Sequence, residues 1–99
     1  KNIEVKHNVT VTGRSGATHQ IDVLWHHSIA GKEYKTFIEC KHYKRSVSIG
    51  HIRNFHSVLN DTGATGLFVT KVGYQSGAEK YGSFYDIDLK LVKPIDELR

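Results

Sequence analysis

The spacing of apolar residues first changes near Ser48, and that change limits the fold more than any single motif does. Up to residue 42 the period is two. Residues 3–12, IEVKHNVTVT, set Val5, His7, Val9 and Val11 against Lys6, Asn8, Thr10 and Thr12, the pattern of a strand with one face turned inward. Residues 19–27 (HQIDVLWHH) and 34–42 (YKTFIECKH) read as a second and a third strand. The GRSG of residues 13–16 closes the first two into a hairpin, and Ala30 to Lys32 make a second turn. Beyond Ser48 the spacing becomes three and four. Ile49, Ile52, Phe55, Val58 and Leu59 predict a helix, with Ser48 as its N-cap and Gly63 as its stop. Residues 66–70 (GLFVT) have the apolar run of a buried strand. Ser76 to Tyr85 form a second predicted helix with Ala78, Tyr81 and Tyr85 inward, although Gly82 costs it about 1 kcal/mol relative to Ala. Residues 86–92 (DIDLKLV) alternate again, with Ile87, Leu89 and Leu91 inward.

The order β-β-β-α-β-α-β joins three antiparallel strands to a parallel half built from crossovers. The expected class is α/β, a mixed central sheet flanked by helices. Two helices leave one face of such a sheet under-covered. The 99 residues suit one domain spanning 1–99 with one modest core. The only proline is Pro94, and no linker or repeat divides the chain. The absence of Met leads us to expect a piece of a longer chain, with an N-terminal segment outside it.

Fourteen Lys and Arg against ten Asp and Glu give a net charge of +4, which suits a polyanionic partner such as nucleic acid. One cysteine excludes an internal disulfide and fits a reducing compartment. No apolar run approaches the roughly 18 residues of a membrane helix, and the start has no signal-peptide core. The expectation is a cytoplasmic protein with no membrane partner. Seven histidines invite a zinc reading, but His26-His27 and His51-x4-His56 fit no zinc spacing.

Two acids stand where a buried strand should be apolar. Asp22 lies between Ile21 and Val23, and Glu39 follows Phe37 and Ile38. Alternation puts Phe37, Glu39 and Lys41 on one face, with the last two about 6.6 Å apart. Cys40 then points the other way, toward an expected core position. Burying an unpaired carboxylate costs several kcal/mol or raises its pKa. Two readings relieve that cost. One is a structural ion-pair network of Asp22, Glu39 and Lys41. The other is a hard divalent cation between the acids, with Mg²⁺ foremost because it takes only one or two carboxylates and keeps its waters. The residues alone leave both standing. Arg14 in the GRSG turn, Lys44 and Arg45 after the third strand, and His51, Arg53 and Asn54 on the polar side of the first helix are candidate phosphate contacts.

The sequence also resembles a known family. Asp22, then sixteen residues, then Glu39-Cys40-Lys41 is similar to the D…E-x-K motif of the restriction-endonuclease-like, PD-(D/E)xK, nucleases. QIDVLW, FIECKHYKRSV, a helix and GATGLFVTKVGYQSGA resemble, in order, Mrr-like restriction endonuclease catalytic domains. The resemblance implies a bacterial or archaeal DNA endonuclease that uses Mg²⁺, with Mn²⁺ as a substitute, against foreign or modified DNA. Asp22 and Glu39 would bind the metal with the Cys40 backbone carbonyl, and Lys41 would position or help deprotonate the attacking water and steady the phosphate charge. By position, His19, three residues before Asp22, is a candidate site neighbour or an ordinary strand-end histidine, and Gln75 is a second candidate neighbour. Double-strand cleavage makes a homodimer attractive, and target choice would lie in another domain. The family's opening helix with its acidic residue is not visible, and Glu4 falls in a strand instead. A later Q-x-x-x-Y pattern fails, because Gln75 is followed four residues on by Glu79. A non-catalytic nucleic-acid-binding module of the same fold is the alternative function, and a domain with no nucleic-acid role is a third.

Overall fold

The computed structural model describes residues 2–93. Lys1 and residues 94–99, including Pro94, lie outside the described residues. Five strands and two helices follow the expected order: β1 (Asn2–Thr12), β2 (Thr18–Ile29), β3 (Lys32–Lys41), α1 (Ile49–Thr62), β4 (Thr65–Thr70), α2 (Ser76–Phe84) and β5 (Asp88–Leu91). They form one sheet in the order β1-β2-β3-β4-β5. The first two pairings are antiparallel. The β3–β4 and β4–β5 pairings are parallel, as crossovers through α1 and α2 require. No helix among the described residues is long and apolar enough to cross a membrane.

The helix limits follow from local chemistry. Ser48 and His51 form a reciprocal capping box at the start of α1, and Gly63 ends the helix in the left-handed conformation, φ 77°, which a residue without Cβ adopts freely. Ile52, Phe55 and Leu59 of α1 and Ala78 of α2 pack on Phe37, Phe68, Ile21, Val47 and Ile87 in one core cluster. Gly66 lets α1 approach β4 closely. A Cβ there would collide with Leu59 Cδ1 and lie 2.7 Å from Phe55 Cε2. Gly66→Ala is therefore expected to destabilise the fold by about 1–3 kcal/mol through overpacking, read as a lower denaturant midpoint with an unchanged slope.

Both helices contribute to the one core cluster, so they cover a single face of the sheet. Three expectations are corrected. Cys40 is exposed rather than buried, because the face opposite Phe37 carries neither helix. Tyr85 and Leu91 are exposed at 45% and 50%. The inward position of α2 belongs instead to Gly82, where a Cβ would meet Leu89 Cδ1 at 2.9 Å. A fourth difference lies in β1. Val9 and Val11 pack on the core, whereas Val5 is 53% exposed. On the partner strand the core-facing residues are Ile21 and Leu24, three apart, so alternation slips between them. The β1–β2 register skips the step at Asn8 and Asp22, and Asn8 has φ 51°. This irregularity falls at one of the two anomalous acids.

Candidate active site

The antiparallel pairing of β2 with β3 stops at Val23↔Ile38, while β3 continues beside β4 as far as Lys41↔Thr70. The Cys40 N–H donates at 3.0 Å to Asp22 Oδ2. A side-chain carboxylate thus replaces the main-chain partner at the point where the two strands part. The hydrogen bond fixes Asp22 beside the end of β3. Glu39 comes from that same strand end, on the helix face with Phe37, and its Oε2 lies 3.2 Å from Lys41 Nζ. Glu39 and Lys41 line a cleft of about 250 Å³ with Gln20, Tyr43, His51 and Asn54. The parting of β2 from β3, with α1 crossing behind, opens this space.

The electrostatics match the geometry. Burial pushes the Glu39 carboxyl above its ordinary value, the Lys41 hydrogen bond and charge pull it back, and the neighbouring Asp22 pushes it up again, so the net shift is upward. Burial works against the Lys41 ammonium, but the hydrogen bond and charge of Glu39, with Asp22 and Tyr43, outweigh it and leave its pKa raised. Lys41 is therefore a fixed positive charge at neutral pH. The Cys40 thiol is also pushed up, by burial and then by the charges of Asp22 and Glu39, which argues against a thiolate nucleophile.

The donor set fits a hard cation. Asp22 sits close enough to Glu39 to raise the cost of ionising it, a cost that a cation would offset, and the strand end also offers the Cys40 carbonyl. Among the described residues no group of three or more His, Cys, Asp or Glu side chains forms a metal cage. Two carboxylates are the number that Mg²⁺, which retains water ligands, would take.

The other candidates divide. His51 stacks on Tyr43, ring centroids 4.2 Å apart, and both line the cleft with Asn54. Arg53 lies over the Tyr81 ring of α2, 5.9 Å from its centroid. Lys44 and Arg45 are exposed in the loop after β3. Gln75 is the N-cap residue of α2, and its backbone N–H donates at 2.8 Å to the Val47 carbonyl; it is not among the residues lining the cleft. Tyr43 and Gln20 were not anticipated. A signal for Tyr43 existed, since it continues the every-second-residue row of Glu39 and Lys41.

The GRSG turn is fastened to the end of α1. The Arg14 guanidinium donates to the Asn60 carbonyl, and its backbone N–H donates at 2.7 Å to the Asp61 carbonyl. Asp61 accepts from the Ser15 N–H at 2.8 Å, the Ser15 hydroxyl at 2.7 Å and His19 Nε2 at 2.8 Å. His19 and Ser15 hold the Asp61 carboxyl down at about 2, against an ordinary 3.8. A depressed folded pKa gives stability that is present above the ordinary value and lost as pH falls toward the folded one. The parent should therefore lose stability between about pH 4 and pH 2, and Asp61→Asn should flatten that part of a stability–pH curve measured by denaturant unfolding.

The model of the family described as "Restriction endonuclease" (Mrr_cat) matches residues 2–94. The chain belongs to this restriction endonuclease family. Among the curated proteins none matches. The solved structure titled "Crystal Structure of Protein of Unknown Function AF1548" is similar in fold, with a TM-score of 0.74 at 22% identity. The match covers 88% of this chain and 48% of that one, so the chain spans about half the length of this relative. The restriction endonuclease match covers every element of the sheet and both helices, and so takes in the strand ends that carry Asp22, Glu39 and Lys41.

Proposed function

We propose that this restriction endonuclease domain is a Mg²⁺-dependent endonuclease that hydrolyses DNA phosphodiester bonds, in defence against foreign or modified DNA. The observation that carries the reading is the meeting of Asp22, Glu39 and Lys41 where β2 parts from β3. Asp22, Glu39 and the Cys40 carbonyl would hold Mg²⁺, with Mn²⁺ as a substitute. The ion, when bound, supplies a Lewis acid for the phosphate and lowers the pKa of a bound water.

The chain's own residues account for the rest. The Lys41 ammonium orients the attacking water beside Glu39 and stabilises charge growing on the phosphate oxygens. Its raised pKa suits this electrostatic role better than that of a general base. His51, held by Ser48 and stacked on Tyr43, places a ring donor on the cleft wall for a phosphate oxygen. Target choice falls to sequence outside this chain, and a homodimer would supply the second active site for the opposite strand.

The test is a substrate panel of plasmid, modified DNA and RNA, each with Mg²⁺, Mn²⁺ or EDTA. DNA cut with either metal and intact in EDTA is the expected result. RNA cut while DNA stays intact overturns the substrate assignment. DNA bound but uncut in both metals favours the non-catalytic binding module.

A further inference from the structure

A second cleft, of about 390 Å³, adjoins the carboxylate cleft and shares Lys41 with it. It lies at the carboxyl ends of the three parallel strands. Cys40, Val69 and Val92 give it an apolar wall, and Lys41, Lys71 and Lys93 surround it. Among the described residues that line it, none is acidic. These lysines are far apart in sequence and are gathered only by the sheet. Lys41 pairs with Thr70, and Thr70 with Leu91; the Val92 N–H then donates at 2.9 Å to the Thr70 carbonyl. Lys71 and Lys93 stand just past this row. Neighbouring strands are about 4.8 Å apart, so the row spans roughly 10 Å across the sheet edge. Lysines along a row of that length suit neighbouring phosphates of one nucleic-acid strand.

We propose that this cleft is a nucleotide-binding subsite. Lys71 and Lys93 take phosphates of the DNA strand that passes Lys41, and the Cys40–Val69–Val92 wall takes the apolar face of the adjoining nucleoside. The proposal rests on the nuclease reading and extends it, by giving the strand a path out of the carboxylate cleft across the carboxyl edge of β4 and β5. The crevice outside the carboxyl ends of parallel strands is where open α/β sheets commonly receive ligands.

Cys40 is the only cysteine in the 99 residues and is exposed, so it reports directly on occupancy. Alkylation by iodoacetamide is followed in Ca²⁺, which withholds Mg²⁺, with and without a DNA oligonucleotide. Binding is measured by anisotropy over a salt series. The parent's thiol should be protected by DNA. Lys71→Ala/Lys93→Ala should lose that protection, weaken binding roughly tenfold, and lower the slope of log K against log salt by about two. Lys71→Arg/Lys93→Arg should retain binding, as should Lys80→Ala, which alters an exposed lysine on α2. An unchanged slope in the double alanine variant, or a thiol alkylated equally fast with DNA bound, overturns the subsite. If the parent nevertheless cuts DNA, only the subsite has failed. A parent that neither binds nor cuts DNA overturns the subsite and the nuclease reading together.

Discussion

Lys41→Ala and Asp22→Ala are each expected to slow DNA cleavage by about 10²–10³-fold, the usual cost of deleting one preorganised electrostatic group. The two losses have different origins. Lys41 is the positive charge 3.2 Å from Glu39. Removing it leaves a half-buried carboxyl, already pushed upward by burial and by Asp22, without the group that pulls it down. Asp22 accepts the Cys40 N–H, so its removal takes away a ligand and also the clamp that aligns the end of β3. Single-turnover rates on plasmid separate chemistry from binding. In the double variant the losses should fall well short of multiplying, because residues that act as a unit are not additive. Parent-like cleavage by either single variant contradicts the assignment.

Phe37→Ala carries the largest expected effect on stability, about 3–5 kcal/mol. Its side chain has no exposed surface and sits in the cluster that joins the sheet to α1 and α2. A domain of this size has roughly 5–15 kcal/mol to lose. The denaturant midpoint should fall steeply. Because Phe37 shares its face of β3 with Glu39, activity should fall at temperatures where the variant begins to unfold. A loss below about 1 kcal/mol would mean that the site can collapse around the cavity.

Much of the fold is legible in the sequence. The change of period at Ser48 marked α1 with both its caps, because capping depends on side chains a few residues apart. Asp22, Glu39 and Lys41 stood out because a charge in an apolar strand needs a reason. Other features depended on tertiary placement. Cys40 was expected in the core because alternation identifies two faces without saying which one the helices cover. The slip at Asn8 and Asp22 is invisible to a period-two pattern, since Val5, Val9 and Val11 look equivalent in sequence. Arg14 was a candidate for DNA; its guanidinium bonds the Asn60 carbonyl, a contact across 46 residues that no local signal announces. Gln75 is a candidate site neighbour in sequence, but its position is set by the Val47 carbonyl. The lysines at 41, 71 and 93 share no run in the sequence, and only the parallel register assembles them.

The central claim is that Asp22, Glu39 and Lys41 form one metal-dependent hydrolytic site. Its most direct test is the rate of supercoiled plasmid cleavage by the parent chain as Mg²⁺ is raised from zero. The account predicts a rate that climbs and saturates with Mg²⁺ and vanishes in EDTA. A rate indifferent to Mg²⁺ and to EDTA would contradict it.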